Sequence, residues 1–376
     1  MRKILSAAVA AVILSVTVAC GEEPTGGKMR DISTMELVRD MGIGINLGNT
    51  YEACGDWING ETPDNYEQAW GSPDITEEII KGYADEGFGT LRIPVAWSNM
   101  MSDDNIISPD YVKEVKKAVD WALDSDMYVI INLHWDGGWL EKMPDDKENV
   151  MGKYSRIWEQ VSEEFKDYGD RLIFESQNEE LGWSSLWNRW GDVEGKDESY
   201  ALVNEVNQNF VDIVRDSGGN NKKRHLLISG YNTDVELTCD PLFKMPDDPA
   251  GRCAVSVHYY TPSTFAILEE DADWGKAAYT WGTDAEIAEL ERNMDLMKST
   301  YADNGIPVII GEYGCPIKNK DPESVRLYVS SVCRAAYERQ MCPVLWDVTD
   351  AQYSRSEYKM KDAELKDMMM SVLDEK

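Results

Sequence analysis

Residues 128–133 read YVIINL, a short and nearly continuous apolar run that is rich in β-branched side chains. A strand with one face in water would alternate apolar and polar residues, whereas this run is apolar on both faces. It is therefore typical of a strand in a parallel sheet that is covered on both sides.

Seven further runs of the same kind, each bounded by Gly, Asn, Pro or Asp, occur at 41–47, 90–95, 172–175, 225–229, 254–257, 307–310 and 342–345. Helical patterns separate most of them, at 76–86, 109–125, 151–168, 198–216, 284–301, 322–339 and 362–373. The fifth gap, at 234–248, is rich in proline and predicts an irregular loop with one helical turn. Eight buried strands that alternate with such crossovers predict a single (β/α)8 barrel of the α/β class.

An open doubly wound sheet is the alternative fold. Such a sheet normally carries a glycine-rich phosphate loop after its first strand. Here the first strand leads into NLGNT at 46–50, which does not match G-x-G-x-x-G. This difference favours the barrel.

Composition excludes several classes of protein. The 376 residues include 37 basic and 69 acidic ones, a net charge of −32, so a nucleic acid partner is not expected. A hydrophobic share of 43% is enough for a packed core, and one α/β barrel commonly uses ~250 residues or more. The 13 tryptophans suit core packing and also stacking on ligands.

The first 20 residues predict a secretory signal, because a basic start precedes an apolar run that is shorter than the ~20 residues of a spanning helix. The run ends in VACG at 18–21, which resembles a bacterial lipoprotein signal, although Thr17 stands where Leu is usual. Lipid attachment at Cys20, which would bind the protein to a membrane, and plain cleavage both stay open. We expect a short polar tether at 21–30, the catalytic barrel at 31–376, and a secreted protein or a bacterial cell-envelope lipoprotein.

Six further cysteines permit disulfides in an exported protein. Cys239 and Cys253 flank a proline-rich loop, and Cys333 and Cys342 flank a turn from helix to strand, so either pair could close. Six cysteines allow fifteen pairings, and none is predicted. Since no Cys or His spacing is typical of a metal site, we expect no metal and no cofactor.

Active sites of (β/α)8 barrels lie at the carboxyl ends of the strands. Glu179 follows the fourth strand and Glu312 the seventh, so the sequence places both at one barrel mouth. Paired carboxylates hydrolyse glycosides, one by donating a proton and the other by attacking the anomeric carbon. The attacking carboxylate must be ionised, and Arg92 and Tyr260 offer it a cation and a hydroxyl.

Between residues 41 and 346, the chain resembles glycoside hydrolase family 5, the cellulase family of retaining (β/α)8 enzymes. Seven stretches carry the resemblance, in the order of the family: GINLGNT, LRIPVAW, INLHWDGGW, IFESQNEE, SVHYYTP, VIIGEYG and VLWD. The resemblance implies that Glu179 is the acid/base and Glu312 the nucleophile. It implies that the remaining residues surround the sugar: Arg92, His134, Asn178 on the 2-hydroxyl, His258 and Tyr260 orienting Glu312, Trp346 as a stacking floor, and Asn49 in the same cleft.

One position departs from the family pattern. Glu180 replaces the proline that usually follows the acid/base, and we expect its side chain to point away from the sugar.

We expect the protein to be an endo-β-1,4-glucanase that acts on a β-glucan polysaccharide. We also expect it to be a monomer and to need no cofactor. Mannan, xyloglucan or mixed-linkage β-glucan is the alternative substrate for the same chemistry. A non-catalytic glycan-binding lipoprotein is the alternative from another class.

Overall fold

The computed structural model describes residues 27–179, 181 and 184–374, and in it eight parallel strands close into one barrel in chain order. The predicted signal, most of the tether and Glu180 lie outside the described residues. Strands β1 to β8 span Gly44–Asn46, Thr90–Ile93, Tyr128–Asn132, Leu172–Glu175, Leu226–Ser229, Cys253–Tyr259, Val308–Tyr313 and Cys342–Leu345. The predicted (β/α)8 barrel is confirmed.

Helices α1 to α11 span Thr34–Asp40, Pro63–Glu67, Glu77–Asp85, Pro109–Asp124, Lys147–Glu164, Lys196–Asp216, Val235–Thr238, Ser263–Ala266, Asp284–Thr300, Pro322–Glu338 and Ala363–Met370. The fifth crossover contains a short 3-10 helix at Tyr231–Thr233 and the four-residue helix α7 in an otherwise irregular loop, as its prolines predict. Helix α5 begins four residues before the predicted start. Glu148 lies in its first turn, where a negative charge is stabilised by the helix dipole, so an acidic segment need not end the helix.

Alternation along the strands separates two apolar cores. The outward residues pack against the helices, while the lower inward residues form a separate cluster that includes Ile130, Ile173, Leu227, Ala254, Ile309 and Val344. Helix α1 closes the lower end of the barrel, because its Leu37 and Val38 belong to this inner cluster.

The segment before α1 is also fixed at that closed end. Arg30 donates hydrogen bonds to Asp170 at 2.7 Å and to the hydroxyl of Tyr128, the first residue of β3, at 2.7 Å. At the start of α1 itself, Thr34 is within hydrogen-bond distance of His225, at 2.9 Å. In the part of the chain that the structure describes, no helix combines the length and hydropathy that a membrane span requires.

Among the described residues, the six cysteines form no disulfide, so neither pair considered from the sequence is closed. The thiol of Cys239 lies 3.5 Å from the sulfur of Met297, and that of Cys253 lies 3.4 Å from Asp248. Each of these cysteines therefore faces a partner other than the cysteine across its loop.

Substitution of Trp158 on α5 tests how much the outer core contributes to stability. Its side chain is fully buried, its ring packs against Phe210 with centroids 4.6 Å apart, and its indole N–H donates to the carbonyl of Ser176 at 3.1 Å. We expect Trp158→Ala to lower the free energy of unfolding by about 3–5 kcal/mol, measured by urea denaturation. Trp274→Ala is the control, because that ring is 60% exposed, and equal midpoints for the two variants would contradict this packing.

Candidate active site

The upper inward residues of the barrel are polar and meet at one buried guanidinium. Arg92 has no exposed surface and donates from Nε to Glu175 at 2.7 Å. One terminal nitrogen donates to Asn46 at 2.9 Å and to Glu312 at 2.8 Å, and the other donates to Asn178 at 2.9 Å. Arg92 therefore lies beneath the mouth and holds side chains there, rather than facing a ligand itself.

A register shift directs Glu312 into the barrel. Ile309 faces the inner core and Ile310 the outer one, so regular alternation would turn Glu312 outward. The pairing between β6 and β7 slips by one residue, which places His258 opposite Glu312. Such a bulge re-aims the side chain that follows it.

Gly311 is the extra residue of this bulge. A Cβ at this position would lie 2.9 Å from the Ser256 hydroxyl and 3.3 Å from Nε2 of His258. Only glycine leaves room for both side chains, which explains the glycine before Glu312.

Glu312 is almost fully buried and has a donor on each oxygen. Arg92 contacts Oε1 at 2.8 Å, and the Tyr260 hydroxyl donates to Oε2 at 3.0 Å. The sequence reasoning also expected His258 to orient Glu312. Nδ1 of His258 lies 2.7 Å from Glu179, within hydrogen-bond distance, and 3.6 Å from Oε2 of Glu312, so the imidazole contacts both carboxylates.

The Glu179 side chain is 37% exposed and therefore reaches the open mouth, whereas that of Glu312 is 7% exposed. An oxygen of each carboxylate and the ring nitrogen of His258 lie within 4.8 Å of one another. Retaining glycosidases hold their two carboxyl groups ~5–5.5 Å apart, and inverting ones ~6.5–9.5 Å. The hydrogen-bond distance of 2.7 Å between His258 and Glu179 accounts for the closeness of two of these three atoms.

Burial and close charges shift the ionisation of this group. Burial raises the pKa of Glu312, although His258 and Arg92 oppose the shift. Burial would also raise the pKa of Glu179, but the hydrogen bond from His258 and the charge of Arg92 outweigh it, and the pKa is lowered. Burial opposes protonation of His258, yet the two carboxylates raise its pKa. The contact between His258 and Glu179 therefore favours the charged form of each partner.

Two flat side chains face each other at the mouth. The rings of His134 and Trp346 are parallel within 2°, with centroids 5.8 Å apart. Burial, with the charges of Arg92 and His258, lowers the pKa of His134 well below its usual value, so this imidazole stays neutral. Trp346 is half-buried, and its backbone N–H donates to Tyr313 at 2.8 Å.

Asn178 and Asn49 complete the predicted set. Asn178 is buried beside Glu179, and its side-chain carbonyl accepts from Arg92, which fixes the amide orientation. Asn49 lies in the loop after β1 in a left-handed backbone conformation with φ of 58°. The adjacent Gly48 places this loop beside Trp346, since a Cβ there would lie 3.3 Å from the indole ring.

Three polar residues of this network were missed in the sequence reasoning: Asn46, Glu175 and Ser256. Glu175 ends the apolar strand LIFE at 172–175, and a carboxylate at an inward position of a buried strand requires a partner. That conflict with burial is the signal that could have identified it.

Arg92→Met tests the electrostatic role of the guanidinium. The substitution leaves Glu175 and Glu312 buried without their cation, so we expect the free energy of unfolding to fall by about 3–5 kcal/mol, measured by urea denaturation. Arg156→Met is the control, because Arg156 pairs with Glu159 at the surface and should matter little. A stability unchanged by Arg92→Met would refute the role.

Comparison with known proteins places this geometry in a family. A family model described as cellulase, glycosyl hydrolase family 5, matches residues 51–352. Endoglucanase A of Ruminococcus albus is 37% identical over 327 residues, 85% of each chain. A xyloglucan-specific endo-β-1,4-glucanase of Bacteroides ovatus is 34% identical over 343 residues, which cover 86% of this chain and 66% of that protein. The solved structure of a broad specificity endoglucanase from an uncultured bovine rumen ciliate has a TM-score of 0.83 and 34% identity, covering 92% of this chain and 99% of the other. The chain belongs to the cellulase family, glycosyl hydrolase family 5.

Proposed function

We propose that this protein is a retaining endo-β-1,4-glucanase that hydrolyses internal bonds of cellulose-like polysaccharides. The observation that carries the proposal is the pair Glu179 and Glu312, whose oxygens lie within 4.8 Å at the mouth of a family 5 barrel. The relative from Ruminococcus albus and the solved structure from the rumen ciliate are both named endoglucanases, which supports a β-glucan as the substrate class.

In the first step, Glu312 attacks the anomeric carbon and Glu179 donates a proton to the leaving oxygen. The glycosidic bond breaks as the bond from Glu312 to the sugar forms. Arg92 and Tyr260, one on each oxygen of Glu312, keep the attacking carboxylate oriented. In the second step, Glu179 takes a proton from water, and the water oxygen displaces Glu312 from the sugar.

Glu179 must carry a proton in the first step, whereas in the site without a sugar its contact with His258 lowers its pKa and favours the ionised form. A sugar in the mouth excludes water and offers the leaving oxygen as a new partner for Glu179. Desolvation then favours the neutral acid, and the proton on His258 lies one hydrogen bond away. His258 is thus the proton reservoir for Glu179 in this mechanism.

The remaining residues around the mouth bind the sugar. Trp346 is the stacking floor beneath the cleaved residue, with His134 held parallel to it. Asn178 binds the 2-hydroxyl through its amide, whose orientation Arg92 fixes. Asn49 contributes from the loop beside Trp346.

Xyloglucan is the second candidate substrate for the same chemistry. The relative from Bacteroides ovatus is named xyloglucan-specific, and the rumen ciliate structure is named broad specificity. A cleft that accepts a branched backbone must leave room beside the sugar chain, which separates this candidate from a strict cellulase.

We also propose that the protein is exported and acts as a monomer, either secreted or lipid-anchored at Cys20. The basic start, the apolar run and the VACG stretch support export and either form of release or anchoring. Metabolic labelling with a palmitate analogue, compared between the native protein and Cys20→Ser, would separate the two forms.

Substitution of the two carboxylates tests the mechanism. On β-glucan polymer, Glu312→Gln should reduce kcat by at least ~10³-fold and Glu179→Gln by ~10²–10⁴-fold. On an aryl cellobioside with a good leaving group, Glu179→Gln should still form the glycosyl-enzyme rapidly, because that leaving group needs no proton. Glu205→Gln, a surface pair with Lys147, is the control. Turnover by Glu312→Gln at the native rate would refute the mechanism.

A polysaccharide panel tests the substrate. We expect release of reducing ends from carboxymethyl-cellulose, with mixed oligosaccharide lengths early in the reaction, and measure it beside xyloglucan, mixed-linkage glucan and glucomannan. Faster release from xyloglucan would favour the second candidate. Binding without release from any polymer would indicate the non-catalytic glycan-binding alternative instead.

A further inference from the structure

Glu175 is a carboxylate that no sugar can reach. It ends strand β4, is fully buried inside the barrel, and lies below the mouth. It accepts a hydrogen bond from Nε of Arg92 at 2.7 Å and another from the hydroxyl of Ser256 at 2.7 Å. Burial of a charged group requires such compensation, so its place in the barrel is specific.

The contact with Nε determines how Arg92 presents its other nitrogens. A guanidinium is planar and its N–H groups diverge in fixed directions, so holding the Nε edge sets the direction of the two remaining nitrogens. Those nitrogens contact Glu312 at 2.8 Å and Asn178 at 2.9 Å. Glu175 therefore orients both residues through Arg92, without touching either.

The contact also divides one positive charge between two carboxylates. Arg92 is bound by Glu175 and Glu312 at nearly equal distances, 2.7 Å and 2.8 Å. If Arg92 faced Glu312 alone, the cation would stabilise its carboxylate more strongly and make it a poorer nucleophile.

We propose that Glu175 is a positioning residue for the hydrolytic reaction, which aims Arg92 at Glu312 and Asn178 and moderates the charge that Arg92 presents to the nucleophile. This inference rests on the proposed function, in which Glu312 attacks the sugar. It assigns a task to a residue that never contacts substrate.

The titration of Glu312 is sensitive to every charged or titratable group around it. Arg92 from β2, His258 from β6 and Tyr260 after it contact Glu312, and Glu179 after β4 lies across the mouth from it. Glu175 in β4 and His134 after β3 act on it through Arg92 and His258. Glu175→Gln changes one of these charges and keeps the side-chain length.

The experiment is the pH profile of kcat/KM for Glu175→Gln on an aryl cellobioside with a good leaving group. This substrate needs no proton from Glu179, so protonation of Glu312 governs the acidic limb. Removal of the negative charge of Glu175 should lower the pKa of Glu312, so activity should persist to a pH about 1 unit lower than in the native enzyme. The plateau should fall several-fold, because a less basic carboxylate is a weaker nucleophile.

Two further variants separate charge from shape. Ser256→Ala removes the other hydrogen bond of Glu175 and keeps all charges, so its acidic limb should match the native one. Glu175→Asp keeps the charge but shortens the reach to Arg92, so kcat should fall about tenfold with KM unchanged. This variant tests the orienting role even if Glu175→Gln does not fold.

An acidic limb of Glu175→Gln at the native pH, or a native kcat for Glu175→Asp, would overturn the proposal. Failure of the proposed function is distinguishable, since it would appear as native turnover in Glu312→Gln, whatever the Glu175 variants do.

Discussion

The chemistry of this barrel depends on one buried cation. Arg92 lies in the interior with no exposed surface and connects strands β1, β4 and β7 through hydrogen bonds to Asn46, Glu175 and Glu312. A buried guanidinium is tolerated only when its donors are matched, and here each matching partner belongs to the same polar layer. The need to satisfy one cation thus assembles side chains that lie far apart in the chain.

The barrel supports that layer by separating its interior into two levels. The lower inward residues are apolar and are closed by α1, while the upper ones are polar. The bulge at Gly311 belongs to the upper level, where it turns Glu312 inward against the regular alternation of β7. Regular strands therefore stabilise the fold, and a local irregularity places the reactive group.

Much of this arrangement could be predicted from the sequence. Strands β4 and β8 have the predicted bounds, because each is a short apolar run between two segments of different pattern. Glu179 and Glu312 meet at one mouth, because strand ends of a parallel barrel share one face. The hydrogen bond of His258 to Glu179 could not be predicted, since the two residues are 79 positions apart and both carboxylates lie within reach of the imidazole. Glu175 was missed because its partner Arg92 is 83 residues away, and the pairing exists only once the barrel closes.

The contacts of Arg30 attach the segment before α1 to one particular end of the barrel. Arg30 binds Asp170 and Tyr128 at the closed end of the barrel, opposite the mouth that holds Glu179. A surface that held the protein by the chain before this segment would face the closed end. The mouth would then open away from that surface, toward polymers too large to approach it closely.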